Sequence, residues 1–168
     1  NLGYFLNFRE VDFITSHNVL AHTENINDIF NSIFNILKTN GYFCFEIGYF
    51  KSVLDNNYFD TVYHEHLDYH HASPLVKFLK SLGFTIENLS TNNIQGGTLR
   101  ILAKKGSKIK KNSLSVRNFL QNEKIFFNKK DIKSQFINFE NSMQKLHEIV
   151  KRIKYKKNVI YAYGSPTN

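Results

Sequence analysis

With 168 residues, 42% of them hydrophobic, the chain is long enough to bury one full core and at most slightly more than one domain. The solitary Cys44 excludes an internal disulfide framework and a cysteine-rich zinc site within this segment. The net charge is +8, no run is apolar and long enough to span a bilayer, and nothing marks a signal peptide, so we expect a soluble, cytoplasmic protein with no membrane partner.

The first regular element is the short apolar run Val11-Asp12-Phe13-Ile14-Thr15, which has strand length. A polar knot follows it directly, Ser16-His17-Asn18-Val19-Leu20-Ala21-His22. Asn25 then suits the N-cap of a helix whose apolar residues fall at Ile26, Ile29, Phe30, Ile33, Phe34 and Leu37, with Asn40-Gly41 as its stop. Residues 42–47 are almost continuously apolar and predict a buried strand, in which Cys44 is a small hydrophobe. Ser73-Pro74 opens a helix through Leu82, with proline in its first turn and Gly83 past its end. Two further strands are expected at 84–89 and 98–103, joined by 90–97. Strand, helix, strand, helix, strand, strand is the second half of an α/β doubly wound sheet.

Residues 104–112 read as a solvated linker. From about 129 to 155 the apolar positions Ile132, Phe136, Phe139, Met143, Leu146, Ile149 and Ile153 recur at three- and four-residue steps, the pattern of a long amphipathic packing helix between domains. Residues 158–163 would open a second α/β unit. Asn1 is not a start residue and the chain stops on a strand running into a turn, so we read it as an internal fragment. Charge is uneven: residues 1–100 hold 6 basic and 10 acidic residues, residues 101–168 hold 16 and 4. The basic half could serve an anionic partner or simply be solvated. Because no aromatic residues interleave with the lysines in stacking fashion, we expect no nucleic acid partner.

The densest chemistry lies at Tyr63-His64-Glu65-His66, a phenol, two imidazoles and a carboxylate in a row. Such groups need partners when buried, and they are useful beside a substrate. Three readings apply: a hydrogen-bonded loop tying Asp60 and Tyr69 to the sheet, a metal site using His64 and His66 with His70 and His71 near in sequence, or general acid–base catalysis with the carboxylate orienting an imidazole. Ligands of open α/β sheets bind outside the carboxyl ends of the strands. His17, Asn18 and His22 follow the first strand, Glu46, Gly48 and Tyr49 close the second, and the four-residue string lies in the loop beyond. Gly96-Gly97 suits a tight turn with positive φ, and it would also let a ligand approach the backbone, with Arg100 beyond it able to meet a phosphate.

Taken in order, Asn18-Val19-Leu20-Ala21-His22, the strand from Gly41 to Tyr49, Phe59-Asp60-Thr61-Val62-Tyr63-His64-Glu65-His66-Leu67 and Gly96-Gly97-Thr98-Leu99-Arg100 resemble the sugar C-methyltransferases, S-adenosylmethionine-dependent enzymes acting on nucleotide-linked keto-deoxysugars. The tail Tyr163-Gly164-Ser165-Pro166 is similar to that family's turn into its C-terminal domain. The resemblance implies the second half of a Rossmann-like class I methyltransferase sheet at 1–107, a linker and long connector helix at 108–156, and from 157 to 168 the first strand of a C-terminal α/β domain that binds nucleotide sugar. The glycine-rich cofactor loop and a zinc-binding cysteine cluster would lie upstream of Asn1, so that this segment alone would be inactive and hold no metal. By the same resemblance His66 removes the sugar's C-3 proton and Glu65 orients it. Tyr63, His22 and Asn18 hold the keto oxygen as charge develops on it, while His64, Arg100, Gly96, Gly97 and Tyr49 contact substrate, and His17 with Asn18 contacts S-adenosylmethionine. Two positions depart from the family pattern: Gln95 stands where histidine is usual and Thr98 where serine is common. Outside the resemblance, the residues also fit a metal-dependent hydrolase or lyase built on His64 and His66, or a basic anion-binding module without catalysis.

Overall fold

The computed structural model describes residues 10–58, 61, 67–106, 111–129, 132–156 and 158–161. The chain divides into two compact units, Asn1–Lys130 and Asp131–Asn168.

In the first unit, strand β1 (Val11–His17) leads through a single 3-10 turn (Leu20–His22) to helix α1 (Ile26–Ile36). The Asn25 side chain accepts from the Asp28 N–H as the expected N-cap, and Phe30 and Ile33 are buried. The helix stops four residues short of the anticipated Asn40-Gly41. Leu37 turns extended (φ −72°, ψ 138°), is fully buried, and begins strand β2 (Leu37–Gly48) by pairing with Val11. Lys105 Nζ donates to the carbonyls of Phe34 (2.6 Å) and Leu37 (2.7 Å), satisfying the end of the helix from another strand. Asn40 takes a left-handed φ of +69° and falls in a break of the β1–β2 register rather than at a helix end.

Helix α2 (Phe50–Asn56) follows β2, ending at Asn57 with φ +54°. The sequence reading had no helix there: it is seven residues long and buries only Val53 and Leu54, too short a run for a periodic signal. Helix α3 (Ala72–Ser81) matches the expected span to within a residue, and Gly83 follows it at φ +104°. Strands β3 (Phe84–Asn92) and β4 (Thr98–Lys105) are the expected pair, each somewhat longer than the apolar run that announces it. Helix α4 (Leu114–Lys129) was not anticipated. Its buried face carries Val116 and a carboxylate, Glu123, so no clean apolar stripe signals it.

The sheet order is β1-β2-β4-β3, with β1 and β2 parallel and β4 antiparallel to both neighbours. One face carries Phe43, Phe45, Ile47, Leu99, Ile101 and Ala103, all fully buried, and α1 packs here. Phe30 of α1 is the hub, edge-on to Phe43 (5.6 Å), Phe45 (5.3 Å) and Phe78 of α3 (5.5 Å). Helix α4 packs on β3 and α3. The second unit holds the expected long helix, α5 (Ile132–Tyr155), followed by 158–161 without strand structure; the remainder of the strand expected at 158–163, residues 162 and 163, lies outside the described residues. Among the described residues no helix is long and apolar enough to cross a membrane.

Because Phe30 fills the junction of α1, α3 and the sheet, Phe30→Ala should lower unfolding free energy by about 3–5 kcal/mol in chemical denaturation. A loss below about 1 kcal/mol would mean that the three ring contacts do not define the core.

Candidate active site

Because β4 runs antiparallel, its first residue lies beside the last residues of β2 and β3: Thr98 pairs with Gly48 on one side and Asn92 on the other. The carboxyl edge of the parallel pair and the turn entering β4 thus share one rim. A cavity of about 330 Å³ opens there. Its walls are Asn18, Ala21 and His22 after β1, Gly48, Tyr49 and Val53 after β2, Gln95 to Thr98 before β4, and Thr61, Asp68 and Tyr69 from the long connection between α2 and α3.

The backbone at this rim is held in conformations few residues adopt. Asn18 has φ +52°, and its N–H donates to Glu46 O (3.0 Å). The β3–β4 turn carries three consecutive positive φ values, Gln95 +49°, Gly96 +82° and Gly97 +110°. Both readings of Gly96-Gly97 are compatible with this geometry: it is a tight turn and it lines the cavity. Gly97 accepts from Tyr49 N–H (3.1 Å), and a Cβ there would sit 2.5 Å from the Ser52 side chain, so only glycine fits.

Glu46 is nearly buried at 4% exposure, on the sheet face opposite Phe45. Arg100 Nε donates to Oε1 (2.5 Å), the Arg100 Nη2 also pairs with it, and Asn92 Nδ2 donates to the same oxygen (3.2 Å). His17 Nδ1 is 3.4 Å from Oε2. Burial pushes the Glu46 carboxyl up, but the Arg100 hydrogen bond and charge, assisted by His17, outweigh it and hold the carboxyl below its usual range. Asn92 continues the network, its Oδ1 accepting from Thr98 Oγ1 (2.8 Å) at the cavity wall. Tyr49 is also committed. Its hydroxyl donates to Glu123 (2.8 Å), and burial beside that carboxylate pushes the phenol well above its normal range.

Of the eleven residues singled out from sequence, the structure brings five together at the cavity: Asn18, His22, Tyr49, Gly96 and Gly97. Two lie off its walls. His17 and Arg100 flank Glu46, each with about half of its side chain exposed. Tyr63, His64, Glu65 and His66 lie outside the described residues, between Thr61 and Asp68 in the sequence, both of which line the cavity. Sequence reasoning missed Asp68, and above all Glu123. The available signal for Glu123 was a charge on an apolar face, since Val116, Phe119, Leu120, Glu123 and Phe127 are spaced by three and four. Among the described residues no three His, Cys, Asp or Glu side chains cluster as metal ligands.

The family model described as a methyltransferase domain matches residues 7–89, just under half of the chain. The C-methyltransferase NovU of Streptomyces niveus is 31% identical over 83 residues, covering 49% of this chain and 20% of that protein. This chain therefore spans about a fifth of its curated relative. Among solved structures, a chain in the complex between the Haloferax volcanii Trm112 methyltransferase activator and a methyltransferase overlaps at TM-score 0.49 with 12% identity, over 61% of this chain and 57% of that one. Magnesium protoporphyrin IX methyltransferase from Synechocystis PCC 6803 overlaps at 0.46 with 13% identity, over 58% and 46%. The family match spans β1 to most of β3 of the four-stranded mixed α/β sheet, together with helices α1 and α3.

Arg100→Ala should leave Glu46 buried with only His17 and Asn92 as partners. Arg100 is half exposed, so solvent screening brings the cost below that of a fully buried pair, to about 2 kcal/mol at neutral pH. The native carboxyl is held low, so its contribution is present above the unfolded value near 4.5 and disappears as pH falls through the folded value. The stability gap between wild type and variant should therefore narrow as pH falls below the unfolded value near 4.5, as thermal scans across pH would reveal; a pH-independent gap would disprove the pairing.

Proposed function

We propose that this chain is part of an S-adenosylmethionine-dependent C-methyltransferase acting at C-3 of a nucleotide-linked 4-keto-deoxysugar. The observation that carries the reading is the cavity at the carboxyl edge of β1 and β2. It gathers Asn18, His22 and Gly96-Gly97, and Thr61 and Asp68, which lie on either side of the Tyr63-His64-Glu65-His66 string in the sequence, line it. The partial match to a C-methyltransferase supports carbon as the acceptor.

In this reading His66 accepts the proton from the carbon beside the ketone, and the C–H electron pair moves into an enolate. Glu65 orients the imidazole and stabilises its charged form. Tyr63, His22 and the Asn18 carboxamide donate to the ketone oxygen as it becomes anionic; preorganised donors of this kind contribute a factor of about 10²–10³ each. When bound, S-adenosylmethionine supplies an electrophilic methyl group. That methyl would be taken up by the enolate carbon, the sulfur leaving with the electron pair of the broken bond. Asn18 fits the cofactor side, since it lines the cavity at the end of β1; His17 fits less well, its Nδ1 being directed at Glu46. Gly96 and Gly97 line the cavity, so the sugar nucleotide would meet their backbone from that side. Zinc and the glycine-rich cofactor loop belong, in the same reading, to sequence upstream of Asn1.

The test is the first half-reaction in the full-length enzyme. Wild type should exchange the C-3 hydrogen of the 4-keto sugar nucleotide for deuterium, and His66→Ala should abolish exchange while leaving the fold intact. Undiminished exchange in His66→Ala would remove His66 from the role of base.

A further inference from the structure

The carboxylate of Glu123 takes no part in the chemistry above, yet it is the most densely bonded side chain among the described residues. Oε2 accepts from the Tyr49 hydroxyl (2.8 Å) and the Ala72 N–H (2.7 Å). Oε1 accepts from the Ser73 N–H (2.8 Å) and hydroxyl (2.6 Å), and His71 Nδ1 stands 3.2 Å away. Four of the five contacts are donors and the His71 imidazole can be a fifth, so the site is built for an ionised carboxylate. Its side chain is only 1% exposed, with Phe127 against His71 (4.8 Å) and Phe119 beside Tyr49 (6.2 Å).

Helix α3 has no side-chain cap of its own from His71, and Glu123 reaches across from α4 to supply one. Through Oε2 it also grips Tyr49, the residue at which β2 turns into α2. Tyr49 and His70 form a parallel bridge, with Phe50 N–H donating to His70 O (2.9 Å). Glu123 thus fixes both sides of that bridge, one directly and the other through the adjoining residues 71–73. Beyond the bridge, Leu67 N–H donates to Ala21 O (3.0 Å) and the Tyr69 hydroxyl to Thr61 O (3.1 Å). Thr61, Asp68 and Tyr69 are cavity wall.

We infer that Glu123 is a positioning residue of the active site, latching Tyr49 and the end of the α2–α3 connection so that the cavity wall they form is set before substrate arrives. Its effect on turnover rests on the methyltransfer reading; its effect on the cavity wall does not. A residue with a structural role alone would lower the stability of the whole unit. A latch does more at the wall than in the sheet.

The experiment is amide hydrogen exchange by NMR on the 168-residue chain, comparing wild type, Glu123→Gln and Tyr49→Phe. The amide of glutamine is nearly the same size, but it places donors against donors. Tyr49→Phe removes one donor and leaves the other four, which keeps the test available if Glu123→Gln does not fold. The amides of Tyr49, Phe50 and Leu67 should exchange on the order of ten-fold faster, beyond any change at Ile101 and Ala103, whose exchange reports opening of the sheet. In the full-length enzyme, Glu123→Gln should lower kcat for C-3 exchange by about a hundred-fold with little change in KM. Equal acceleration at wall and sheet, or an unchanged kcat in a folded variant, would overturn the proposal. Selective loosening of the wall in an enzyme whose wild type shows no C-3 exchange would leave the latch standing and reject the methyltransfer reading instead.

Discussion

Strand β4 lies between β2 and β3 and runs against both, and the placement of everything chemical follows from that reversal. Parallel strands bring their carboxyl ends to one edge, where side chains after β1 and β2 naturally gather. An antiparallel neighbour brings its amino end to the same edge. The glycine turn before Thr98 is therefore set opposite Asn18 and Tyr49, and the hydrogen bond from Tyr49 N–H to Gly97 O closes the rim. A fourth parallel strand in the place of β4 would have carried that turn to the far end of the sheet.

Two carboxylates are taken out of water close to this rim, and they are accommodated by different means. Glu46 is matched by the Arg100 guanidinium, with the His17 imidazole beside it, both partly in solvent, so its surroundings respond to salt. Glu123 has no such cationic partner and is held by hydroxyl and backbone donors, with an imidazole alongside. Burial pushes its carboxyl up as well, but the Ser73, Ala72 and Tyr49 hydrogen bonds, with His71, outweigh that and hold it below the usual range. The donors come from α3 and from the end of β2, so the carboxylate ties together pieces of chain that no apolar contact alone would orient. Buried carboxylates satisfied in this way fix geometry more than they add stability.

Elements with a clean period were legible in the sequence: α1 with its Asn25 cap, the apolar strand at 42–47, α3 between Pro74 and Gly83, and the long α5. Those that broke a rule were not. Helix α4 hides its carboxylate on its inner face, α2 is two turns long, and the Asn40-Gly41 pair that resembles a helix stop serves a strand irregularity instead. At the site, position along the chain located Asn18, His22 and Tyr49 at one edge, because strand ends are predictable; the two glycines reach that edge through the antiparallel run of β4. It could not show that His17 and Arg100 share a carboxylate between them, since pairing across β1, β2 and β4 is settled by register. Nor could it find Glu123, whose partners lie about fifty residues away in sequence.

The central position of β4 also shapes how the sheet assembles. The β3–β4 pair closes over a turn of a few residues, and β1 joins β2 through one helix. The union of the two, by contrast, pairs residues from Gly48 with Thr98 to Tyr42 with Lys104, fifty to sixty-two positions apart. Loop closure over that distance is entropically costly and is recovered only when Phe43, Phe45, Leu99 and Ile101 are buried together. The chain can thus form two local pieces early, β1–β2 and β3–β4, and the cavity comes into being only at the late step that joins them.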